Sequence, residues 1–304
     1  MSPQSLKNYF NWTELPNNTK LGYLKDHRKD MRRDLRQVYP ECRSALVFIF
    51  SYAPEKKWQD QHFLEMRPAS YLFATGETDY HLVLPERMEL VLKTLKESYP
   101  GLEGKIACDT LPILDRDLAF RAGLGWFGKN SMLIHRKLGS YFLIGSILLN
   151  QDLTQKKPLL EIDHCGQCVA CIESCPTQAI DGDRRVLKTD QCISTFTIEV
   201  FKPEDPPEGF GADSSEVFGC DICQEVCPWN RKPLEAEQSI PRSDLESSVV
   251  SEIFLTPRPK LIENLEQMSN RGYRKWVKST ALERTGRVGL LKNLLNLRKN
   301  MGSG

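Results

Sequence analysis

The period of the apolar residues changes several times along the chain. Ser44-Ala-Leu-Val-Phe-Ile-Phe-Ser51 is a short continuous apolar run, and its length and Val/Ile/Phe content predict a buried strand. From Met88 to Tyr99 the apolar residues Leu90, Val91, Leu92 and Leu95 recur at helical spacing until Pro100-Gly101 ends the pattern. Lys105 to Cys108 reads as a strand, Arg116 to Ala122 as a helix, and Met132 to His135 and Tyr141 to Leu149 as two more strands. Upstream, Asn18 to Arg36 alternates acids with bases and reads as a charged helix. Alternating helices and strands predict an α/β (α+β) domain over residues 1–154. The segment 155–235 has no such period; residues 202–211 are a Pro/Gly loop, and Pro228 to Ser243 reads as a linker. Helical spacing returns with Leu261, Ile262, Leu265 and Met268, then Val288, Leu290, Leu291, Leu294 and Leu295, so residues 236–304 form a short helical region.

The 304 residues are 40% hydrophobic, 9% aromatic and 27% charged, which excludes collagen-like, mucin-like and wholly disordered chains. Lys and Arg number 41 against 40 Asp and Glu, so a nucleic-acid partner must be met by a local patch. One candidate runs from Arg271 to the C-terminus, where nine Lys/Arg (271, 274, 275, 278, 284, 287, 292, 298 and 299) accompany Glu283 alone. With Tyr273 and Trp276 among them, the patch suits phosphate contact plus stacking; the alternative is a solvated helical face with both rings packed inward. No window reaches the roughly 18 apolar residues of a membrane span, and no secretory or twin-arginine signal opens the chain. The expectation is a cytoplasmic, monomeric protein without a membrane partner.

Ten cysteines in such a chain read first as metal ligands or redox groups. Cys42 and Cys108 stand apart, as small buried hydrophobes. Cys165-Gly-Gln-Cys168-Val-Ala-Cys171-Ile-Glu-Ser-Cys175-Pro176 has the bacterial ferredoxin spacing for a [4Fe-4S] cluster, in which the fourth cysteine ligates the other cluster. Cys220-Asp-Ile-Cys223-Gln-Glu-Val-Cys227-Pro228 repeats the ending, and Cys192 supplies its missing first ligand. Crossed ligation gives cluster one as Cys165, Cys168, Cys171 and Cys227, and cluster two as Cys192, Cys220, Cys223 and Cys175. Structural zinc is the competing reading of C-x2-C pairs, but it does not use the x2, x2, x3 run before proline.

A third constellation lies upstream: Cys108-Asp109-Thr110-Leu-Pro112-Ile-Leu-Asp115-Arg116, followed by Ala122-Gly123-Leu-Gly125-Trp126-Phe-Gly128-Lys129-Asn130. Its glycines allow close backbone approach to a ligand. These segments, Gly139-Ser-Tyr141, Cys192-Ile-Ser194 and Gly219-Cys-Asp221 through Trp229-Asn230 together resemble the epoxyqueuosine reductases, over residues 20 to 300. That family comprises cobalamin-dependent iron–sulfur enzymes that complete queuosine in tRNA anticodons. The resemblance implies a cobalamin-binding α/β domain, an inserted ferredoxin-like two-cluster domain, tRNA as substrate and an external low-potential electron donor. Removing an epoxide oxygen requires two electrons that no side chain supplies, and a positioned acid for the departing oxygen.

The resemblance places that acid at Asp109, and an apolar surrounding or a cofactor face is expected to hold its proton; the alternative is an Asp that caps the turn after a strand. It places cobalamin contacts at Arg32, Leu133, Ile144, Ser194 and Asp221, alongside Asp109. Asp79-Tyr80-His81 matches a family motif, although the preceding segment is one residue longer than the family's pattern. Compared with the family, the chain starts close to its first charged helix and ends where many relatives continue into helical repeats. A reductive dehalogenase-like enzyme acting on a small organohalide and a plain ferredoxin-type carrier are the competing functions.

Overall fold

A computed structural model describes residues 3–63, 65–154, 158–211, 214–236 and 243–298. Helix α1 (Pro3–Thr13) precedes three 3-10 turns (Gly22–Leu24, Asp30–Arg33, Leu35–Gln37), then β1 (Ser44–Ser51), α2 (Ala53–His62), β2 (Arg67–Pro68), β3 (Ala74–Glu77) and α3 (Tyr80–Ser98). The first segment finishes with β4 (Gly104–Ala107), α4 (Asp115–Arg121), β5 (Trp126–Phe127), β6 (Leu133–Ile134) and β7 (Phe142–Leu149). The cysteine-rich segment contains α5 (Ala170–Glu173), β8 (Ile180–Asp181), β9 (Val186–Leu187), α6 (Ile193–Glu199), β10 (Glu216–Phe218), α7 (Ile222–Glu225) and α8 (Pro228–Glu235). The last segment is helical: α9 (Ser243–Glu246), α10 (Val249–Leu255), α11 (Arg258–Gln267), α12 (Asn270–Trp276) and α13 (Gly286–Arg298).

Three apolar runs meet as an antiparallel sheet in the order β1-β7-β4, in register from Ser44 opposite Leu149 to Ser51 opposite Phe142. Alternation gives the sheet two apolar faces. Leu46, Phe48, Phe50, Leu143, Ile147 and Leu149 pack on Leu84, Met88 and Leu92 of α3, which repeat every four residues down one side of that helix. Gly145 lets the helix approach, because a Cβ there would lie 2.7 Å from the Met88 sulfur. Leu90 and Val91, counted in the apolar pattern, face solvent. Val47, Ile49, Phe142 and Ile144 turn to the opposite face, under Ala119 of α4.

The expected charged helix over 18–36 is instead the set of 3-10 turns. Its ion pairs are too local to brace an α-helix: Asp34 accepts from the Arg36 backbone N–H and pairs with its guanidinium, and Asp26 does the same with Arg28. Carboxylates that bond the backbone two residues on favour turns over helix. The expected linker over 228–243 begins as helix α8, with Pro228 in the first turn where its missing N–H costs nothing; residues 237–242 lie outside the described ones.

The largest core crosses the expected segments. Phe63, Leu72 and Phe73 pack with Ile193, Phe196 and Phe218 and with Leu261, Leu265, Leu290 and Leu294. Strand β2 pairs in parallel with β10. Buried Lys292 of α13 donates to the Phe196 and Val200 carbonyls at 2.6 and 2.8 Å. The C-terminal helices therefore share a core with the cysteine-rich segment. Among the described residues, no helix is long and apolar enough to cross a membrane.

Candidate active site

Each cluster loop is a tight turn followed by one helical turn. All ten cysteines are free thiols. Burial pushes the Cys171 thiol up to about 11, and the neighbouring Cys227, Cys165 and Cys168 sulfurs push it in the same direction. Burial also raises Cys223, with Cys192 and Cys175 among the groups that add to it; Cys220 is raised by burial and by Cys223 and Cys192. Like groups that raise one another this way bind well only once deprotonated and shared by a cationic centre. Cys171 also adds to Cys223, so these couplings join the two proposed fours as well as acting within them. Among the described residues, no three Cys, His, Asp or Glu side chains are placed to hold a single metal ion.

The glycine-rich motif has a different use from the one its composition suggested. Gly125 approaches β6 rather than a ligand: a Cβ there would lie 2.2 Å from the Ile134 carbonyl oxygen. This seats Trp126 opposite Ile134 and against Cys165 and Cys227. Three residues on, Lys129 Nζ donates to the Gly166 and Cys168 carbonyls at 2.8 and 3.0 Å, and Asn130 donates to the Cys223 carbonyl at 3.3 Å. From the other side, buried Asn230 accepts from the Ser140 N–H at 2.6 Å and donates to the Gln224 carbonyl at 2.7 Å. The motif clamps both cluster loops onto the α/β layer.

Asp109 follows β4 with φ 55°, a left-handed turn conformation that Asp tolerates. The chain's own side chains do not enclose it. Its side chain is 67% exposed, accepts from the Tyr80 hydroxyl at 3.0 Å and lies 3.8 Å from His81 Nε2. The proton-bearing group here is His81. Burial opposes its charge, but Asp109 and Asp79, whose carboxylate is 2.8 Å from Nδ1, outweigh burial and raise it to about 9. Asp79 is the N-cap of α3, accepting from the His81 N–H, and its own N–H donates to the Ser279 carbonyl at 2.7 Å. The turn after α12 is thus bonded to the segment beside Asp109. The half-buried carboxyl of Asp115 nearby is raised to about 7 by desolvation and by the charge of Asp109.

The remaining predicted contacts are scattered. Arg32 is buried and donates to the Arg28 carbonyl at 3.1 Å. Leu133 is a core residue beside Phe142, and Ile144 lies half-buried opposite Ile49. Ser194 sits in the first turn of α6, where its N–H and that of Thr195 lower the Cys192 thiol against the burial that raises it. Asp221 is committed to Ser70, accepting from its N–H at 2.8 Å and its hydroxyl at 2.6 Å. Sequence reasoning left out Tyr80, His81 and Asp115 as site residues; the Asp-Tyr-His run at a helix start was the available signal.

A half-buried apolar face and one orphaned carboxylate oxygen are compatible with a flat, largely apolar cofactor with amide arms. Ile49, Ile144, Phe120 and Leu124 are half-buried around Leu133, and Asp115 Oδ1 is buried without a hydrogen-bond partner among the described residues. Stacking from the C-terminal patch does not fit. Tyr273 is 1% exposed, with its hydroxyl donating to the Leu282 carbonyl, and Trp276 packs against the same core. Lys292 is buried and Arg284 pairs with Glu199. Arg287 donates to Asn270 and the Leu265 carbonyl, and the Arg298 side chain and Lys299 lie outside the described residues. Arg271, Arg274 and Lys275 are exposed on α12, and Lys278 is exposed just after it.

Residues 164–230 match the 4Fe-4S double cluster binding domain, and residues 32–110 match the model described as epoxyqueuosine reductase QueG, DUF1730. The epoxyqueuosine reductase of Cyclobacterium marinum is 35% identical over 286 residues, covering 93% of this chain and 85% of that protein. The chain belongs to the epoxyqueuosine reductase family. It is therefore similar to oxidoreductases, and the double-cluster domain supports two iron–sulfur clusters rather than zinc. Among solved structures, the enzyme from Bacillus subtilis, with a catalytic aspartate loop swung out of its active site, superposes with a TM-score of 0.76 at 23% identity, covering 97% of this chain and 74% of that one. An epoxyqueuosine reductase bound to an epoxyqueuosine-modified tRNA-Tyr stem loop superposes at 0.66 and 25% identity, covering 86% and 66%.

Proposed function

We propose that this protein reduces epoxyqueuosine to queuosine in tRNA. The observation that carries the reading is the clamp: one motif of the α/β layer holds both cysteine fours beside the domain that presents Asp109 and His81. Opening the epoxide and forming the alkene consumes two electrons and two protons and releases the oxygen as water. The clusters, held by Cys165, Cys168, Cys171 and Cys227 and by Cys192, Cys220, Cys223 and Cys175, pass electrons singly from an external low-potential donor. Cobalamin, when bound, supplies a low-valent cobalt able to deliver an electron pair. Ile144 over Leu133, Arg32 and Asp115 would hold it on the sheet side, with Ser194 and Asp221 on the cluster side.

The chain's own residues handle the proton. His81 carries one at neutral pH and lies 3.8 Å from Asp109. Tyr80 fixes the Asp109 carboxylate by its hydrogen bond, so a proton passed from His81 Nε2 to Asp109 is delivered from a defined position. The cations of α12 meet the phosphates of the stem loop, and the Ser279–Asp79 bond sets their distance from the acid. The test is anaerobic reconstitution with iron, sulfide and cobalamin, then incubation with epoxyqueuosine-containing tRNA and nucleoside mass analysis. Wild type should remove one oxygen and Asp109→Asn should not. Equal conversion by both removes Asp109 from the mechanism, and no conversion by wild type with both clusters loaded removes the substrate.

A further inference from the structure

Trp126 is 1% exposed, and its indole N–H has no hydrogen-bond partner among the described residues. A buried donor left unpaired costs about 1–3 kcal/mol, and such donors are rare in native proteins. The indole packs against Cys165 and Cys227 and meets the rings of His164 and Trp229 edge-on, with centroids 4.7 and 4.8 Å away. The pairing of Trp126 with Ile134 and the close approach at Gly125 fix where the ring lies.

We infer that the Trp126 indole N–H donates to a sulfur of the cluster held by Cys165, Cys168, Cys171 and Cys227, and so sets the potential of that cluster. The inference rests on the cluster reading above. Two of those four ligands, Cys227 and Cys165, pack in the same small cluster as the ring, and sulfur of a cluster is the acceptor that such a site brings within reach. Reduction adds negative charge to the cluster, so a donated hydrogen bond favours the reduced form and raises the potential. Trp126 is then a positioning and tuning residue rather than a catalytic one.

The experiment is an EPR-monitored redox titration of the reconstituted holoprotein and of Trp126→Phe, with iron content measured on both. With both clusters loaded, the variant should favour the oxidised form of cluster one about tenfold, a fall of 59 mV for one electron, while cluster two is unmoved. Exchange into deuterated water should give the reduced wild-type cluster an exchangeable deuteron coupling that the variant lacks. Because phenylalanine also loses volume, a second protein carries benzothienylalanine at 126, which keeps the shape and removes the N–H; it should reproduce the shift. An unchanged potential and coupling in a fully loaded variant overturns the inference and assigns the N–H to a neighbouring ring face. Failure of wild type itself to assemble cluster one overturns the ligand assignment instead.

Discussion

His81 offers the most direct test of the proton-handling scheme. An unperturbed imidazole titrates near 6.5, whereas His81, between Asp79 and Asp109, is raised to about 9 against the burial that opposes it. At pH 7.5 this changes the protonated fraction from about 9% to about 97%. The rise corresponds to about 3 kcal/mol before screening, and to about 1–2 kcal/mol once the third of the ring left in solvent is discounted. The folded value lies above the unfolded one, so the stabilisation is complete below pH 6.5 and is lost as pH rises through 9. Proton-detected NMR of the ring C–H during a pH titration reads the midpoint directly. Asp79→Asn should lower it by about one to two units, because it removes the 2.8 Å carboxylate partner. Single-turnover reduction should fall about tenfold per pH unit above 9, and His81→Gln should be slow and lack this alkaline limb. A midpoint at or below 6.5 in the wild type refutes the argument, since His81 would then be neutral where the reaction needs its proton.

Three further outcomes are expected. In the crossed scheme Cys165→Ser and Cys175→Ser each lose a cluster, but different ones; loss of the same EPR signal from both variants refutes the crossing although each iron assay reads about half. Burial lowers Lys292 to about 7, so its folded value lies below the unfolded one and wild-type stability should increase as pH rises from 7 to 10.5. Lys292→Met should abolish that rise in pH-dependent denaturant melts, while stranding the Phe196 and Val200 carbonyls at about 1–3 kcal/mol each. Arg274→Ala and Lys275→Ala should each weaken binding of a stem loop and reduce the salt slope by about 0.7–0.9, and an unchanged slope would move the phosphate contact off α12.

Elements that depend on composition alone were legible. The run 44–51 is a strand with the predicted bounds because six uninterrupted apolar residues between Ser44 and Ser51 have one cheap way to hide both faces, between α3 and α4. The cysteine spacing was legible for a similar reason, since cluster geometry leaves few alternatives to x2, x2, x3. Segments whose fate depends on partners were not. Residues 18–36 carry enough charge for a helix, but their acids bond two residues ahead, which a charge pattern does not reveal.

The glycine-rich motif shows why residue type marks a site without assigning its role. Glycine permits close approach, and only the fold says what approaches: at Gly125 it is the carbonyl of Ile134. A ligand-cradle reading therefore became a clamp, in which Lys129 and Asn130 spend their donors on cluster-loop carbonyls. Asp109 makes the complementary point. A carboxyl can be kept ready to protonate either by removing water or by placing a charged acid beside it, and the sequence suggested the first. The proposed scheme uses the second through His81, because Asp79 starts α3 and holds that ring while Ser279, in the turn after α12, fixes Asp79. The C-terminal helices thereby contribute to the site through a backbone bond. Shortening or loosening α12 should consequently disturb proton handling as well as tRNA affinity, a coupling that a separate, appended tRNA-binding region would not produce.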